Sequence, residues 1–387
     1  MNVFDVVLVI ACASAAVGGY QLGFVARSAS WLGLALGLFG GALLLPVVLP
    51  EVQDASDATA SLVSIGLLVG MALVGNALGL VLGSALHAEL PAGAARRADQ
   101  AAGAVVGIVG VLVILWLLVP ALSGTPGWMT TQVHGSVIAR EVNAALPDPP
   151  DGLAALRRVV GDEPFPQVFD ALQPAPDTGP SPGSSGLSTE MANQVVRSTV
   201  KVEGIACSRI QDGSGFFVDD DLVVTNAHVV AGEDETTVEL SDGSTLDARV
   251  VAFDPARDLA VLRTRGGGAA PLPLRGAEVG DTGGVFGRPG GGPLEISPFR
   301  VADQIDARGR DIYDSGTTNR DVLVLASELA PGDSGSALVD PQGQVIGVAF
   351  AVAPDKPGVA YALAISELEA VLAGDLSSER DTGGCLV

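Results

Sequence analysis

The sequence predicts an N-terminal all-α membrane domain with four transmembrane helices, followed by a C-terminal all-β domain that ends in a short helix. Two observations support this fold class. Residues 1–122 are mostly Leu, Val, Ala and Gly, and contain four apolar runs that approach or reach bilayer-spanning length. Residues 188–387 contain many short Val-rich runs separated by Gly, Asp and Pro, as in sandwiches and barrels. Residues 123–187 connect the two parts.

The four apolar runs cover residues 2–20, 29–49, 62–86 and 102–122. Glycines recur four residues apart in the last three runs, and small residues at this spacing let helices approach closely in lipid. No Lys or Arg precedes the first run, which argues against a signal peptide and against a lipoprotein cleavage box ending at Cys12. We therefore expect a packed four-helix bundle.

Charge asymmetry predicts the orientation of this bundle. The first loop contains Arg27, the third contains Arg96 and Arg97, and the acidic second loop has no basic residue. Because basic loops stay in the cytoplasm, the N-terminus and everything after residue 122 are predicted to lie outside the cytoplasmic membrane, whose lipid is an expected partner. Asn76, deep in the third run, is interpreted as a helix–helix hydrogen-bonding residue, against the alternative that the spans have a transport or sensing function.

Composition excludes some functions for the rest of the chain. The net charge is −23 and the two lysines are Lys201 and Lys356, so nucleic acid is not an expected partner. No His/Cys cluster has metal-ligand spacing, and no metal or cofactor is predicted. The glycine-rich stretch 289–293 lacks the Lys and the helix of a phosphate-binding loop, and is interpreted as a loop near the functional site.

The connector is predicted to contain two short helices and a linker. Residues 130–146 have apolar side chains near helical spacing, with His134 on a solvated face, and residues 151–160 are a second candidate helix. The Pro/Gly/Ser-rich segment 174–186 is interpreted as a linker at a domain boundary, which places the last domain at 188–387. The closing helix is predicted over 364–374, with Ser366 as its N-cap.

The segment Gly332–Gly335, with the sequence GDSG, is either a plain turn or a tight loop that presents a serine nucleophile. A serine needs a base, and the candidate is His228, directly after a Val-rich strand. The base needs a carboxylate to orient it, and Asp258 opens the strand DLAVLR. Asp254, followed by Pro255, is the nearest competitor for that role.

These residues carry a resemblance. The motifs TNAHVV, DLAVL and GDSGS, in this order, together with GSGFFV and GQVIGV, resemble the trypsin-like serine proteases of the chymotrypsin fold over nearly all of residues 190–375. The resemblance implies a double β-barrel for residues 188–387. Four spans similar to a colicin V production (CvpA) domain, followed by such a protease with GRPGGGP, resemble the MarP family of actinobacterial membrane-anchored acid-resistance proteases.

The resemblance also implies roles for individual residues. Ser334 would attack the scissile carbonyl, His228 would transfer protons, and Asp258 would orient His228. The backbone N–H groups of Gly332 and Ser334 would form an oxyanion hole. Glu328 matches the base of the specificity pocket, which implies a preference for basic side chains unless its side chain points elsewhere. Expected partners are protein or peptide substrates, including peptidoglycan-related proteins, and the implied role is acid or envelope stress resistance.

Two further points concern function and cysteines. The alternative from another class is a non-enzymatic membrane scaffold with a protease-like binding domain, which the presence of all three triad residues disfavours. Cys12 is interpreted as an apolar packing residue. Cys207 and Cys385 both lie on the predicted extracytoplasmic side, where disulfides persist, so a Cys207–Cys385 bridge is predicted, with two free thiols as the alternative.

Overall fold

The computed structural model describes residues 2–48, 57–123, 128–146, 168–169, 174–206, 209–265 and 269–386. The chain forms two compact units, one of Met1–Leu118 with Ser136–Val142 and the other of Val119–Gly135 with Asn143–Val387. The candidate helix at 151–160 and Cys207 lie outside the described residues. The predicted fold class is confirmed in its main features, an apolar helical region followed by β-barrels and a short closing helix.

Three long helices form the first unit: α1 (Val3–Val48), α2 (Asp57–Ala88) and α3 (Ala94–Ser123). Each contains a segment long and apolar enough to cross a membrane. The first two predicted spans both fall in α1, which is interrupted at Gly23 by non-helical backbone angles (φ 80°, ψ 164°). Three helices are therefore described where four spans were predicted, and the number of crossings stays a prediction.

The glycines of these helices lie at close backbone contacts. Gly33 packs against the α2 backbone at Gly75, and Gly107 of α3 packs against the α1 backbone at Ala15. A side chain at any of these glycines would collide with a facing carbonyl, as helix packing in lipid predicts. Gly66 and Gly70 share the spacing, but a Cβ atom at either position would meet no atom of the described residues within 4 Å.

The interruption at Gly23 is held by side chains from the other two helices. Asp99 of α3 accepts the backbone N–H of Val25 at 3.0 Å, and its other oxygen lies 2.6 Å from Nδ1 of His87 at the end of α2. A side chain at Gly23 would collide with both Asp99 and His87. The Asp99 carboxylate thus satisfies a backbone donor that the break in α1 leaves without a helical partner.

The connector contains two helices where one was predicted over 130–146: α4 (Trp128–His134) and α5 (Val137–Ala145). The break has a physical cause in Asp5 of α1, which accepts the hydroxyl of Ser136 at 2.7 Å and the N–H of Ile138 at 3.1 Å. These bonds satisfy the first donors of α5 and fix its start. His134 is half-buried, so its assignment to a solvated face was wrong.

The predicted linker at 174–186 is bound to the second unit over its first residues. Asp355 accepts the N–H of Ala175 at 3.0 Å, and Lys356 lies 2.9 Å from Asp177. Arg300 donates to the carbonyl of Thr178 at 2.5 Å. A helix that was not predicted, α6 (Thr189–Ser198), follows, and the side chain of Ser188 caps it by accepting the N–H of Met191.

Two closed six-stranded antiparallel barrels make up most of the second unit. Barrel 1 has the order β1-β2-β3-β6-β5-β4 and barrel 2 the order β10-β11-β12-β9-β8-β7. The strands are β1 Thr199–Ala206, β2 Arg209–Asp219, β3 Leu222–Thr225, β4 Glu233–Glu239, β5 Thr245–Asp254, β6 Leu259–Thr264, β7 Thr282–Gly287, β8 Glu295–Arg310, β9 Thr317–Ala326, β10 Ala337–Val339, β11 Val345–Val352 and β12 Val359–Ala364. A short helix, α7 (Ala227–Val230), follows β3, and α8 (Ile365–Leu372) follows β12.

Side chains that alternate along the strands form the hydrophobic clusters inside and between the barrels. Phe217 of β2 lies in the cluster that fills barrel 1, whereas its neighbour Phe216 lies in a cluster shared with Phe286 and Phe350 of barrel 2. Consecutive residues point to opposite faces of a strand, so one strand serves both the barrel interior and the interface between the barrels. A third cluster, with Phe299 and Leu323, fills barrel 2. The interface is therefore packed, and loops at its edge are held in place.

Two further features complete this unit. The closing helix α8 begins at Ile365, and Ser366 lies inside it, so the prediction of Ser366 as N-cap was wrong. The reason is that the Ser366 hydroxyl donates to Asp321 at 2.8 Å. The segment 380–385, here called the tail strap, contacts both barrels: the carbonyl of Thr382 accepts the N–H of Gly232 at 3.1 Å and the hydroxyl of Tyr313 at 3.0 Å.

Candidate active site

Ser334 lies in a tight loop between β9 and β10. Gly332 (φ 96°) and Gly335 (φ 83°) on either side of it have left-handed backbone conformations that favour glycine. A methyl group at Gly332 would also collide with the carbonyl of Arg288, and one at Gly335 with the carbonyl of Ser214. Glycine is thus required at both positions by conformation and by space, which explains the GDSG sequence.

The Ser334 loop of barrel 2 is hydrogen-bonded to barrel 1 through Ser214 of β2. The N–H of Ser214 donates to the carbonyl of Ser334 at 2.8 Å, and its hydroxyl donates to the carbonyl of Gly332 at 2.7 Å. The same hydroxyl accepts the N–H of Arg288 at 2.9 Å. Ser214 was not singled out from the sequence, although it is the serine of the GSGFFV motif, and it fixes the loop across the barrel interface.

His228 lies in α7, the short helix that follows β3. The helix begins after Asn226, whose side-chain amide donates to the carbonyl of Asp258 at 2.8 Å. The carbonyl of His228 accepts a hydrogen bond from the amide of Gln211 on β2. Contacts from two other segments therefore fix the backbone on which the imidazole stands.

Asp258 is brought directly to His228. Its Oδ2 lies 2.8 Å from Nδ1 of His228, and its Oδ1 accepts the backbone N–H of the same residue at 2.9 Å. Asp258 is fully buried and has a positive φ of 59°, a conformation that Asp tolerates better than most residues. Asp254, the predicted competitor, instead pairs with Arg257 at 2.9 Å.

Ser334 and His228 approach the same short stretch of β2. A side chain at Gly213 would collide with Val229, the neighbour of His228, and would lie close to the carbonyl of Ser334. Among the residues that the structure describes, the Ser334 hydroxyl makes no hydrogen bond, and the residue is 6% exposed. In ligand-free enzymes, hydrogen bonds between nucleophile and base are often long and tighten when substrate binds.

Two backbone N–H groups beside Ser334 are available for a ligand. Within the described part of the chain, neither Gly332 nor Ser334 donates a backbone N–H hydrogen bond, whereas Asp333 between them donates to the carbonyl of Ala330 at 3.0 Å. The glycine-rich loop 289–293 borders this site, because Gly290 donates to the carbonyl of Pro331 at 2.6 Å. This position agrees with its interpretation as a loop near the site.

Asp333 is a buried carboxyl group next to Ser334. Its Oδ2 accepts the N–H of Ala330 at 2.9 Å, and its side chain lies beside Gly287. Burial raises the pKa of Asp333 to about 6, and the negative charge of Glu295 acts in the same direction. The carboxyl group next to the nucleophile therefore holds its proton to a higher pH than an ordinary aspartate does.

Other predicted site features are placed as follows. Glu328 is exposed on the segment between β9 and the Ser334 loop, and its role in specificity stays a prediction. In the described residues, no group of three or more His, Cys, Asp or Glu side chains is arranged to hold a metal ion. Cys385, in the tail strap, lies beside Gly232 of barrel 1.

Two family models match the chain. The model for the colicin V production protein matches residues 4–147, and the model for the trypsin-like peptidase domain matches residues 213–348. The matched regions correspond to the helical unit and to most of the two barrels.

Individual proteins are similar over different lengths. The serine protease Rv3671c of Mycobacterium tuberculosis is 31% identical over 395 residues, which cover 99% of this chain and 98% of that protein. The putative serine protease HhoA of Synechocystis is 32% identical over 41% of each chain. The crystal structure of the active form of the Rv3671c protease is 34% identical, covers 56% of this chain and all of that one, and has a TM-score of 0.49.

Proposed function

The chain belongs to the family of serine proteases with a colicin V production-type helical domain that includes Rv3671c, and we propose that it is a membrane-anchored endopeptidase with the triad Ser334, His228 and Asp258. It is a trypsin-like serine protease by family.

The pair of hydrogen bonds between Asp258 and His228 is the observation that carries this proposal. Asp258 accepts from the ring nitrogen and from the backbone N–H of the same residue, so its carboxylate fixes both the position and the tautomer of the imidazole. Nδ1 then carries the proton and Nε2 is left as the base. A second support is Ser214, which bonds the Ser334 loop to the barrel that carries His228.

The reaction follows from these positions. Ser334 Oγ attacks the substrate carbonyl carbon while His228 Nε2 takes the hydroxyl proton, which gives a tetrahedral oxyanion. The N–H groups of Gly332 and Ser334 donate to that oxyanion. His228 then protonates the leaving amine, the C–N bond breaks, and an acyl-enzyme ester remains. Water, activated by His228, hydrolyses the ester and regenerates the Ser334 hydroxyl.

The substrates are proteins or peptides, in keeping with the family, and three helices long and apolar enough to cross a membrane support a membrane location. The three loop arginines support an extracytoplasmic protease domain. A reporter enzyme fused after residue 125 is expected to be active only if it functions outside the cytoplasm, and a reporter fused near Arg96 only if it functions inside. The opposite pattern would overturn the proposed orientation.

A role in acid or envelope stress resistance is part of the same proposal and rests on the resemblance to the MarP family. Its test is genetic: a strain that carries Ser334→Ala in place of the natural gene should lose survival in acid, while a strain with the wild-type gene should keep it. Equal survival of both strains would separate proteolysis from acid resistance.

The experiment that tests the triad uses the full-length protein in lipid nanodiscs. A fluorophosphonate probe should label the wild-type protein at Ser334, and casein hydrolysis should be lost in Ser334→Ala and in His228→Ala. Asp254→Asn is the matched control for Asp258→Asn, since Asp254 pairs with Arg257 instead of His228. Normal turnover in Asp258→Asn together with lost turnover in Asp254→Asn would assign the carboxylate to Asp254.

The predicted Cys207–Cys385 bridge is also proposed, with support from neighbouring residues. Ala206 at the end of β1 pairs with Glu233, and Cys385 lies beside Gly232, the residue before Glu233. The residue that precedes Cys207 and the residue that faces Cys385 are therefore adjacent on barrel 1. Such a bridge would attach the tail strap to the first strand of the protease domain.

A further inference from the structure

We propose that Arg320 of β9 is a positioning residue that fixes the Asp258 turn of barrel 1 against the part of barrel 2 that holds the Ser334 loop. The proposal rests on the proposed triad. Arg320 is 2% exposed, it is carried by barrel 2, and it contacts the turn that leads into Asp258. No sequence motif marks it, because it is a single arginine in the strand TTNRDVLVLA.

Arg320 contacts the Asp258 turn directly. Nε of Arg320 donates to the carbonyl of Ala256 at 2.7 Å, two residues before Asp258. A second bond between the barrels supports the same turn, since the N–H of Ile312 donates to the carbonyl of Pro255 at 3.2 Å. Asp258 has a left-handed backbone, and such a residue keeps its conformation only where neighbouring contacts hold it.

Arg320 also contacts the rest of barrel 2. Nη2 of Arg320 donates to the carbonyl of Arg310 at 2.7 Å, and its guanidinium carbon lies 5.8 Å from the centre of the Phe350 ring. Ala349, next to Phe350, accepts the N–H of Gly335 and donates to the carbonyl of Ser336, both at 2.9 Å. One side chain thus joins the Asp258 turn to the strand that holds the Ser334 loop.

Arg320 also brings a buried positive charge. The carboxylates that act electrostatically on Arg320 are those of Asp258, Asp311, Glu367 and Asp254. Asp254 and Glu367 also lie at 2.9 and 3.0 Å from Arg257, and Asp311 accepts the hydroxyl and N–H of Ser315. Of these four carboxylates, Asp258 is the one that pairs with His228. The buried positive charge of Arg320 therefore lies within electrostatic reach of the Asp258–His228 pair.

A guanidinium suits this position because its planar group of donors reaches carbonyls on two elements while one face lies over an aromatic ring. A lysine could keep the charge but would serve the two carbonyls less well. Arg320→Lys keeps the positive charge but loses the planar group of donors, whereas Arg320→Gln loses both. Comparing the two variants therefore separates the effect of charge from the effect of hydrogen-bond geometry.

The test uses the full-length protein in nanodiscs and a fluorophosphonate probe, for which the maximal labelling rate and the half-saturating concentration are measured against pH. In Arg320→Gln we expect the maximal rate to fall roughly ten- to a hundred-fold, with a half-saturating concentration within about two-fold of wild type. The acid limb of the labelling profile should move up by roughly 0.5 to 1 pH unit. Arg320→Lys should show an intermediate rate with the acid limb unmoved.

Arg263→Gln is the matched control, since Arg263 lies near the end of β6 opposite to Asp258, pairs with Asp221, and should label like wild type. A folded Arg320→Gln with wild-type rate and pH profile would overturn the proposal. If Arg320→Gln does not fold, Arg320→Lys decides, and a wild-type rate or a shifted acid limb in that variant would contradict it. Labelling of Ser334→Ala would show instead that the proposed triad is wrong.

Discussion

The carboxylate of Asp258 accepts two hydrogen bonds from His228, one from the ring nitrogen at 2.8 Å and one from the backbone N–H at 2.9 Å. An aspartate that only oriented the ring would need the first bond alone. The second bond ties the carboxylate to the start of α7, so the position of the imidazole relative to its orienting group depends little on side-chain freedom.

This double contact predicts the effect of Asp258→Asn. If the amide oxygen of asparagine keeps the backbone N–H, its NH2 group faces Nδ1 and forces the proton of His228 to Nε2. The imidazole then cannot act as a base, and kcat should fall by roughly 10³- to 10⁴-fold. Casein hydrolysis by the full-length protein measures this, and a decrease of less than ten-fold would exclude Asp258 as the orienting carboxylate.

Gly332→Ala should abolish most activity while the barrels stay folded. Gly332 has φ 96°, and a methyl group there would meet the carbonyl of Arg288. The loop must therefore shift, and the N–H groups of residues 332 and 334 lose their alignment toward the oxyanion. A loss of roughly 10²- to 10³-fold in kcat is expected.

The matched control for this variant is Gly290→Ala. Gly290 also has a positive φ, 61°, but a methyl group there meets nothing within 4 Å. Both variants place an alanine at a position with positive φ, but only Gly332→Ala also creates a collision beside Ser334. Equal activity of the two variants would argue against an oxyanion role for this loop.

Glu233 predicts a stability that falls as pH rises. Burial raises its pKa from 4.5 to about 7, and the charge of Glu203 adds to this effect. Between these values the unfolded chain has lost the proton and the folded chain keeps it, so stability declines across this range by about 3 kcal/mol in total. Glu233→Gln should raise the melting temperature at pH 8 and leave it nearly unchanged at pH 4.

Glu235→Gln serves as the control, because Glu235 is exposed on the same strand. Thermal unfolding of the full-length protein at both pH values gives the comparison. A Glu233→Gln variant with the same pH dependence as wild type would show that this carboxyl group is ionised in the folded protein at neutral pH.

The proposed Cys207–Cys385 bridge predicts a mapped disulfide and a measurable loss on its removal. It would close a loop of about 180 residues, for which the chain-entropy model gives roughly 5 kcal/mol, an upper figure since many bridges contribute less. Non-reducing peptide mapping should find the linked peptides, and Cys385→Ser should lower the melting temperature. Two alkylatable thiols in protein from an oxidising compartment would disprove the bridge.

The close helix contacts predict which glycines of the membrane unit tolerate a large side chain. Gly79→Leu should destabilise the helical unit, because a side chain there meets the carbonyl of Ala29 on α1. Gly70→Leu, nine residues earlier on the same helix, has open space and should be tolerated. Melting of the two variants in the same detergent provides the test, and equal melting temperatures would contradict the described packing of α1 against α2.

Much of the fold class was predictable because it depends on local composition. The apolar helices follow from long runs with almost no charge, and the barrels from short Val-rich runs between turns. His228 follows a strand and Asp258 precedes one, so both could be recognised from the Val-rich runs beside them in the sequence. The 16-residue strand β8 was missed, because it contains Pro298 and alternating charged residues that resemble a loop until its pairing with β9 is known.

Other features depend on partners that are distant in sequence. The interruption of the connector helix is caused by Asp5, more than a hundred residues earlier, and the hydroxyl of Ser366 in α8 donates to Asp321 on β9. Ser214 and Arg320 act across the interface between the barrels. No local pattern reports such contacts, so tertiary structure decides them over propensity and capping preference.

The tail strap has a consequence for the order in which the protein can mature. Barrel 1 ends at Thr264, yet the N–H of Gly232 in that barrel finds its partner only at Thr382, which is synthesised more than a hundred residues later. The same carbonyl of Thr382 receives the hydroxyl of Tyr313 from barrel 2. A nascent chain therefore lacks this link between the barrels until residues 380–385 have emerged and reached the folded strands. The last residues of the chain thus complete a contact between two barrels whose strands are all synthesised before them.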